Sequence, residues 1–176
     1  HNHDHGYTHT HAHGHFHRSF RDIRKMIQDS SLEEKVKDLS LRIFTRVAQA
    51  EAKVHHKDVE EVQFHEVGAV DSIVDIVSAA VCMDDLDIEE VIIPELCEGR
   101  GTIRCQHGIL PVPVPAVVNV VNENHLNMKI TDVEGELVTP TGAAIAAAIK
   151  TKDQLPKEFA IQKIGIGAGK RQYECP

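Results

Sequence analysis

The chain has 176 residues, 41% of them apolar and 4% aromatic, with no Trp and a formal charge of −8 at pH 7. That length suits one domain, or one domain and a tail, around a core that has to be aliphatic. The acidic balance argues against non-specific nucleic-acid binding, which needs an excess of Lys and Arg to neutralise phosphates. No run reaches the roughly 18 apolar residues of a membrane span, and no signal-peptide pattern appears. Cys82, Cys97, Cys105 and Cys175 form no CxxC pair. A reduced, cytoplasmic compartment is the simplest reading. There is no initiator Met, so the chain is expected to be a piece of a longer protein, with part of any active site outside it.

Residues 1–18 open the chain with eight histidines, His1, His3, His5, His9, His11, His13, His15 and His17, among Gly, Thr, Asn and Asp. Too little of this stretch is apolar to offset its ordering entropy, so it is predicted to be disordered without metal. Residues 19–176 are predicted to form one mixed α/β domain, with α+β as the alternative arrangement. Phe20, Ile23 and Ile27 mark a first helix. Ser31 and Glu34 read as a capping box ahead of an amphipathic helix that carries Val36, Leu39, Ile43 and Val47 and runs to about Lys53. Val62–Val67 reads as a strand. Residues 69–86 are apolar on nearly all sides and read as a buried helix. Residues 90–96 form a β-rich run, and 101–113 suggest a hairpin turning at His107-Gly108. Pro115 suits the first turn of a short helix. Residues 128–133 read as a strand, 139–150 as an Ala-rich helix, and 159–171 as a strand entering a glycine loop.

Four segments could carry chemistry. In "HEVGAVDSIVDIV", Asp71 and Asp75 are four apart on a helix and share a face. Two carboxylates among Ile, Val and Ala need a partner if buried, such as a divalent cation or an Arg; the alternative is a cap at Asp71 and a solvated Asp75. In "GELVTPTGAA", Thr139 or Thr141 can cap a helix whose N-terminus favours an anion, with Gly142 allowing close approach; a plain helix start explains the same residues. "GIGAGKR" holds Gly167, Gly169, Lys170 and Arg171. It is not a Walker A loop, but glycines followed by two cations can cradle a phosphate. In "CEGRGTIRCQHGILPVPVPA", Arg100 lies between two glycines and His107 precedes a turn glycine; a rigid structural loop is the alternative. The HxH alternation of the leader places imidazoles on one side of an extended chain, where they can gather Ni2+, Cu2+ or Zn2+, or simply form a solvated linker.

Taken together, "FHEVGAVDSIVDIV", "GRG" followed by "HGILPVPVPA", "EGELVTPTGAA" and "GIGAGKR" resemble the nickel insertion protein family of the lactate racemase system (LarC), over roughly residues 62–171 in unbroken order. The resemblance implies a nickel chelatase, a lyase. Such a protein inserts nickel into pyridinium-3,5-bisthiocarboxylic acid mononucleotide to give a nickel-pincer cofactor. It implies dependence on CTP, hydrolysed to CMP and pyrophosphate, and on Mg2+ or Mn2+. It also implies a partner in the C-terminal part of the same protein. On this reading Thr139, Thr141 and Gly142, or Gly167, Gly169, Lys170 and Arg171, hold the substrate phosphate, and Arg100 steadies a thiocarboxylate. His65, with Glu66, Asp71 or Asp75, passes nickel on, and Glu66 or His107 removes the ring proton. The rivals are a nickel storage or delivery protein without catalysis, and a phosphate-handling enzyme of other chemistry. The sequence leaves homo-oligomerisation open.

Overall fold

The computed structural model describes residues 18–62, 64, 70–105, 108–167, 169 and 173. In these the fold is mixed α/β, as the sequence predicts. Helices α1 (Phe20–Gln28) and α2 (Glu34–His55) come first. A 3-10 turn (Val59–Glu61) and α3 (Val70–Asp85) follow. Then come β1 (Leu96–Arg100), the hairpin β2 (Thr102–Cys105) and β3 (Gly108–Pro111), α4 (Pro115–Glu123), β4 (Met128–Glu134) and α5 (Pro140–Ile149).

Helix α2 is the centre of the packing. One cluster joins Phe20, Ile23 and Ile27 of α1 to Ile43, Phe44, Val47 and Ala48 of α2, with Val62, Phe64, Ile76 and Ala144 closing it. The Phe64 ring meets Phe20 edge-on, with centroids 6.3 Å apart, an arrangement that aromatic quadrupoles favour. A second cluster sets Ala50 of α2 against Val117 and Val120 of α4 and Ala143 of α5. Alanines let the neighbouring helices come close to the α2 backbone. Polar clasps fix the contacts: Asn119 Nδ2 donates to the Ala50 carbonyl (3.3 Å) and Arg42 Nη2 to the Ala148 carbonyl (3.1 Å). Lys53 pairs with Glu123.

The capping box lies one helix earlier than predicted. Ser19 Oγ accepts from the Asp22 N–H (3.2 Å) while Asp22 Oδ2 accepts from the Ser19 N–H (3.0 Å). The bond from the Ser19 hydroxyl, then that from its N–H, holds the Asp22 carboxyl below its usual value. This cap is therefore complete at neutral pH and is lost as pH falls through the lowered value. Helix α2 has Glu33 as its N-cap, with no side-chain cap bond, so Ser31 and Glu34 do not form the box.

β1 and β4 pair in parallel, joined by a crossover that includes the hairpin and α4, as parallel strands require. The hairpin forms as predicted, Thr102 facing Pro111 and Cys105 facing Gly108. The run 90–96 reaches the sheet only at Leu96; Ile92 makes a single bridge to Lys152. Pro94 has no N–H to give a ladder, which separates the two contacts. Of Val62–Val67 only Val62 and Phe64 are described. They bond to the chain entering α1 through Phe20 N–H to Val62 O (3.1 Å) and Phe64 N–H to Arg18 O (3.3 Å).

Two expectations fail. Helix α3 is not buried on all sides: α2 and α5 cover Ile76 and Ala80, while Val70 and Val74 stay exposed. The predicted strand from 159 is absent among the described residues, because no other strand lies beside it; residues 159–167 are exposed coil.

Gly99 sits where β1 crosses the turn after β4. A Cβ there would overlap the carbonyl oxygen of Gly135, a backbone atom that cannot swing aside. Gly99→Ala is expected to lower stability by about 2 kcal/mol, read as a lower urea midpoint at unchanged slope.

Candidate functional site

A cavity of about 1110 Å³ opens between the end of α2, the hairpin and the starts of α3, α4 and α5. That is ample for a small organic ligand, whose pockets span roughly 300–1,000 Å³. Its walls come from distant parts of the chain. Glu51 and His55 stand one turn apart on α2, His55 Nε2 3.3 Å from Glu51 Oε2, both part-buried. Ser72 and Asp75 enter from α3, Arg104 and Cys105 from β2, and Glu136 from the turn before α5. Apolar walls come from Phe64, Ile103, Leu110 and Ile145.

The start of α5 forms one end of the cavity, with Thr139, Pro140, Thr141 and Gly142 in its lining. Thr139 is the N-cap, its Oγ1 accepting the Gly142 N–H at 3.1 Å. Pro140 has no N–H, and the Ala143 N–H bonds to the Thr139 carbonyl (2.9 Å). The first turn of a helix has no internal partner for its N–H groups. Here that leaves the Thr141 N–H, beside the Thr141 hydroxyl, at the positive end of the helix dipole. Such a group of donors suits an anion.

The turn leading to Thr139 is held by Glu98, a fully buried residue of β1. Its Oε1 accepts the N–H groups of Gly99 (2.8 Å), Leu137 (2.7 Å) and Val138 (3.1 Å). From the other side the Tyr173 hydroxyl donates to the Glu136 carbonyl at 2.6 Å, which brings the end of the chain back to a residue of the cavity wall.

The sequence-predicted residues divide into three groups. Asp75, Thr139, Thr141 and Gly142 come together in the cavity lining. Asp71, Arg100, Gly167 and Gly169 do not. Asp71 is exposed outside the lining. Arg100 places its guanidinium 3.1 Å from Asp132 Oδ1 and 3.0 Å from Glu134 Oε1, so two carboxylates of β4 hold it outside the cavity lining. Gly167 and Gly169 are exposed, with open space where a Cβ would be. His65, Glu66, His107, Lys170, Arg171 and the eight leader histidines lie outside the described residues.

Sequence reasoning missed Glu51, His55, Arg104, Cys105 and Glu136. The one available signal was the i,i+4 spacing of a carboxylate and an imidazole near the end of an amphipathic helix. Among the described residues no group of three or more His, Cys, Asp or Glu is arranged to hold a metal ion, and no helix is long and apolar enough to cross a membrane. Cys82, Cys97 and Cys105 are free thiols.

Comparison with known proteins gives this geometry a context. The chain is 60% identical over 169 residues to the pyridinium-3,5-bisthiocarboxylic acid mononucleotide nickel insertion protein of Alkaliphilus metalliredigens, covering 96% of this chain and 40% of that protein. It is 49% identical over 155 residues to the protein of the same name from Acetivibrio thermocellus, covering 88% of this chain and 38% of the relative. The Staphylococcus saprophyticus relative is 41% identical over 160 residues, 91% of this chain and 40% of its own length. The chain thus spans about two fifths of the length of these curated relatives. No solved structure matches it. Residues 4–176 match the family described as nickel insertion protein, and with the coverage of these relatives this shows that the chain belongs to that family.

Proposed function

We propose that the chain takes part in inserting nickel into pyridinium-3,5-bisthiocarboxylic acid mononucleotide, with the cavity as the place where nickel and substrate meet. The observation that carries this reading is the shared lining: a helix start suited to a phosphate and an imidazole–carboxylate pair suited to a borderline cation face one hollow. The relatives' name supplies a ligand with the matching parts, a mononucleotide phosphate and two thiocarboxylates.

In this scheme Thr139, Thr141 and Gly142 receive the phosphate at the α5 N-terminus. Nickel is cargo. The nitrogen and oxygen donors of the His55–Glu51 pair hold it less tightly than the two sulfurs of the substrate, so transfer runs downhill. Glu51 orients the His55 ring, as carboxylates do for metal-binding imidazoles. The ring carbon between the two thiocarboxylates loses its proton as the metal binds. Glu66 or His107 is the proposed base and His65 a further nickel ligand. Phe64, which adjoins His65, and Cys105, two residues before His107, line the cavity, which supports the assignment. Lys170 and Arg171 join the phosphate end; Tyr173, docked on Glu136, supports this. Asp71, Arg100, Gly167 and Gly169 have no such support. The leader histidines gather nickel ahead of transfer.

CTP and Mg2+ or Mn2+, the partnership with the rest of a longer protein, and lactate racemase-type enzymes as the cofactor's destination belong to the same proposal and rest on the resemblance of the motifs. The described residues offer no cluster of acidic ligands for a magnesium–nucleotide, so no step through it is assigned to them. A reducing cytoplasm suits the free thiols.

The test mixes the chain with nickel, CTP, Mg2+ and the bisthiocarboxylate mononucleotide, adds the remaining part of a full-length relative in trans, and follows the nickel adduct by absorbance and mass. His55→Ala is expected to slow adduct formation about 10- to 100-fold with the far-ultraviolet circular dichroism unchanged; a wild-type rate removes His55 from the scheme. Thr139→Ala should cost about 1 kcal/mol of stability and raise KM for the nucleotide, whereas Thr139→Ser should preserve both. Deleting residues 1–17 should raise the nickel concentration needed for half-maximal rate and leave the saturated rate alone. Complete loss of function on that deletion would instead favour nickel storage or delivery without catalysis.

A further inference from the structure

We infer that Glu98 is a positioning residue for the anion-binding end of the cavity. The inference rests on the reading above, in which the start of α5 receives the substrate phosphate. Glu98 is 0% exposed, and it does not line the cavity. A carboxylate removed from water is strongly disfavoured unless hydrogen bonds replace its hydration. Here they do so on one oxygen only. Oε1 takes three backbone N–H groups, while Oε2 is buried with no hydrogen-bond partner.

Two of the three donors, Leu137 and Val138, directly precede the N-cap Thr139. Hydrogen bonds to an ionised acceptor are shorter and stronger than neutral ones, and those from Gly99 and Leu137 measure 2.8 and 2.7 Å. They tie the turn after β4 to β1, whose partner on the sheet is β4 itself. Gly99 next door admits the same turn to direct backbone contact at Gly135. The turn is therefore seated at two successive residues of one strand. A packing role alone would be met by an aliphatic side chain of the same length. The carboxylate adds control over where Thr139 and Thr141 point, and so over the direction of the free N–H and hydroxyl at the α5 start.

The discriminating measurement is calorimetric binding of two probes to the full chain: nicotinic acid mononucleotide, a pyridinium mononucleotide, and its dephosphorylated riboside. In the wild type the ratio of the two Kd values reports the phosphate contribution, expected to be roughly 10- to 100-fold in favour of the nucleotide. Glu98→Gln keeps an acceptor oxygen of the same reach but loses the charge. It should weaken the nucleotide several-fold and leave the riboside unchanged, and Glu98→Ala should bring the ratio close to one. If Glu98→Ala does not fold, Glu98→Gln decides the matter alone. A ratio unchanged or raised in Glu98→Gln overturns the inference, as does a parallel loss for both probes, which marks a merely structural role. A wild-type ratio near one overturns the phosphate reading itself, and this inference with it.

Discussion

Burial of α2 on two sides is the constraint on which the rest of the structure depends. A chain with no Trp and few aromatics has to build its core from small and branched aliphatics, which gain little each and so have to be packed closely. Helix α2 solves this by presenting Ile43, Phe44 and Val47 toward α1 and α3, and Ala50 toward α4 and α5. Once both faces are covered, the last turn of α2 has a fixed direction. Glu51 and His55 are carried on it into the cavity, so their placement follows from packing two and three turns away.

The rest of the cavity is assembled by the same logic at a distance. The parallel pairing of β1 with β4 fixes the turn that enters α5, and α5 in turn packs on α2. The α5 start and the Glu51–His55 pair thus reach one cavity lining from two helices that pack on each other.

Much of the scaffold was legible in the sequence because periodicity reports the burial that a segment needs. The apolar spacing of Val36, Ile43 and Val47 announced α2, Pro115 announced the start of α4, and Thr139-Pro140 announced α5. Periodicity cannot report whether a neighbour is there to meet the need. Helix α3 has apolar residues all round, yet α2 and α5 cover only part of its surface, and the run from Phe159 has strand chemistry without a strand to pair with. The site was less legible for a related reason. Glu51 and His55 look like the solvated stripe of an amphipathic helix, and only the fold shows that this stripe faces a hollow. Arg100 looked available between two glycines, but the register of β1 on β4 sets Asp132 and Glu134 beside it. Glu98 carried no spacing signal, since its partners are backbone groups, two of the three some 40 residues away in the chain.

The exposed stretch after α5 has a practical consequence for the isolated polypeptide. Phe159, Ile161, Ile164 and Ile166 stand in water on coil backbone, Ile166 at 91% exposure. An exposed apolar run of this kind favours association between copies of the chain. Lys157 and Glu158 flank it and Lys163 interrupts it, charges that act as gatekeepers against stacking. Neutralising Lys163 removes the one charge inside the apolar run, so the colloidal behaviour of the purified chain hangs on a side chain with no part in the chemistry.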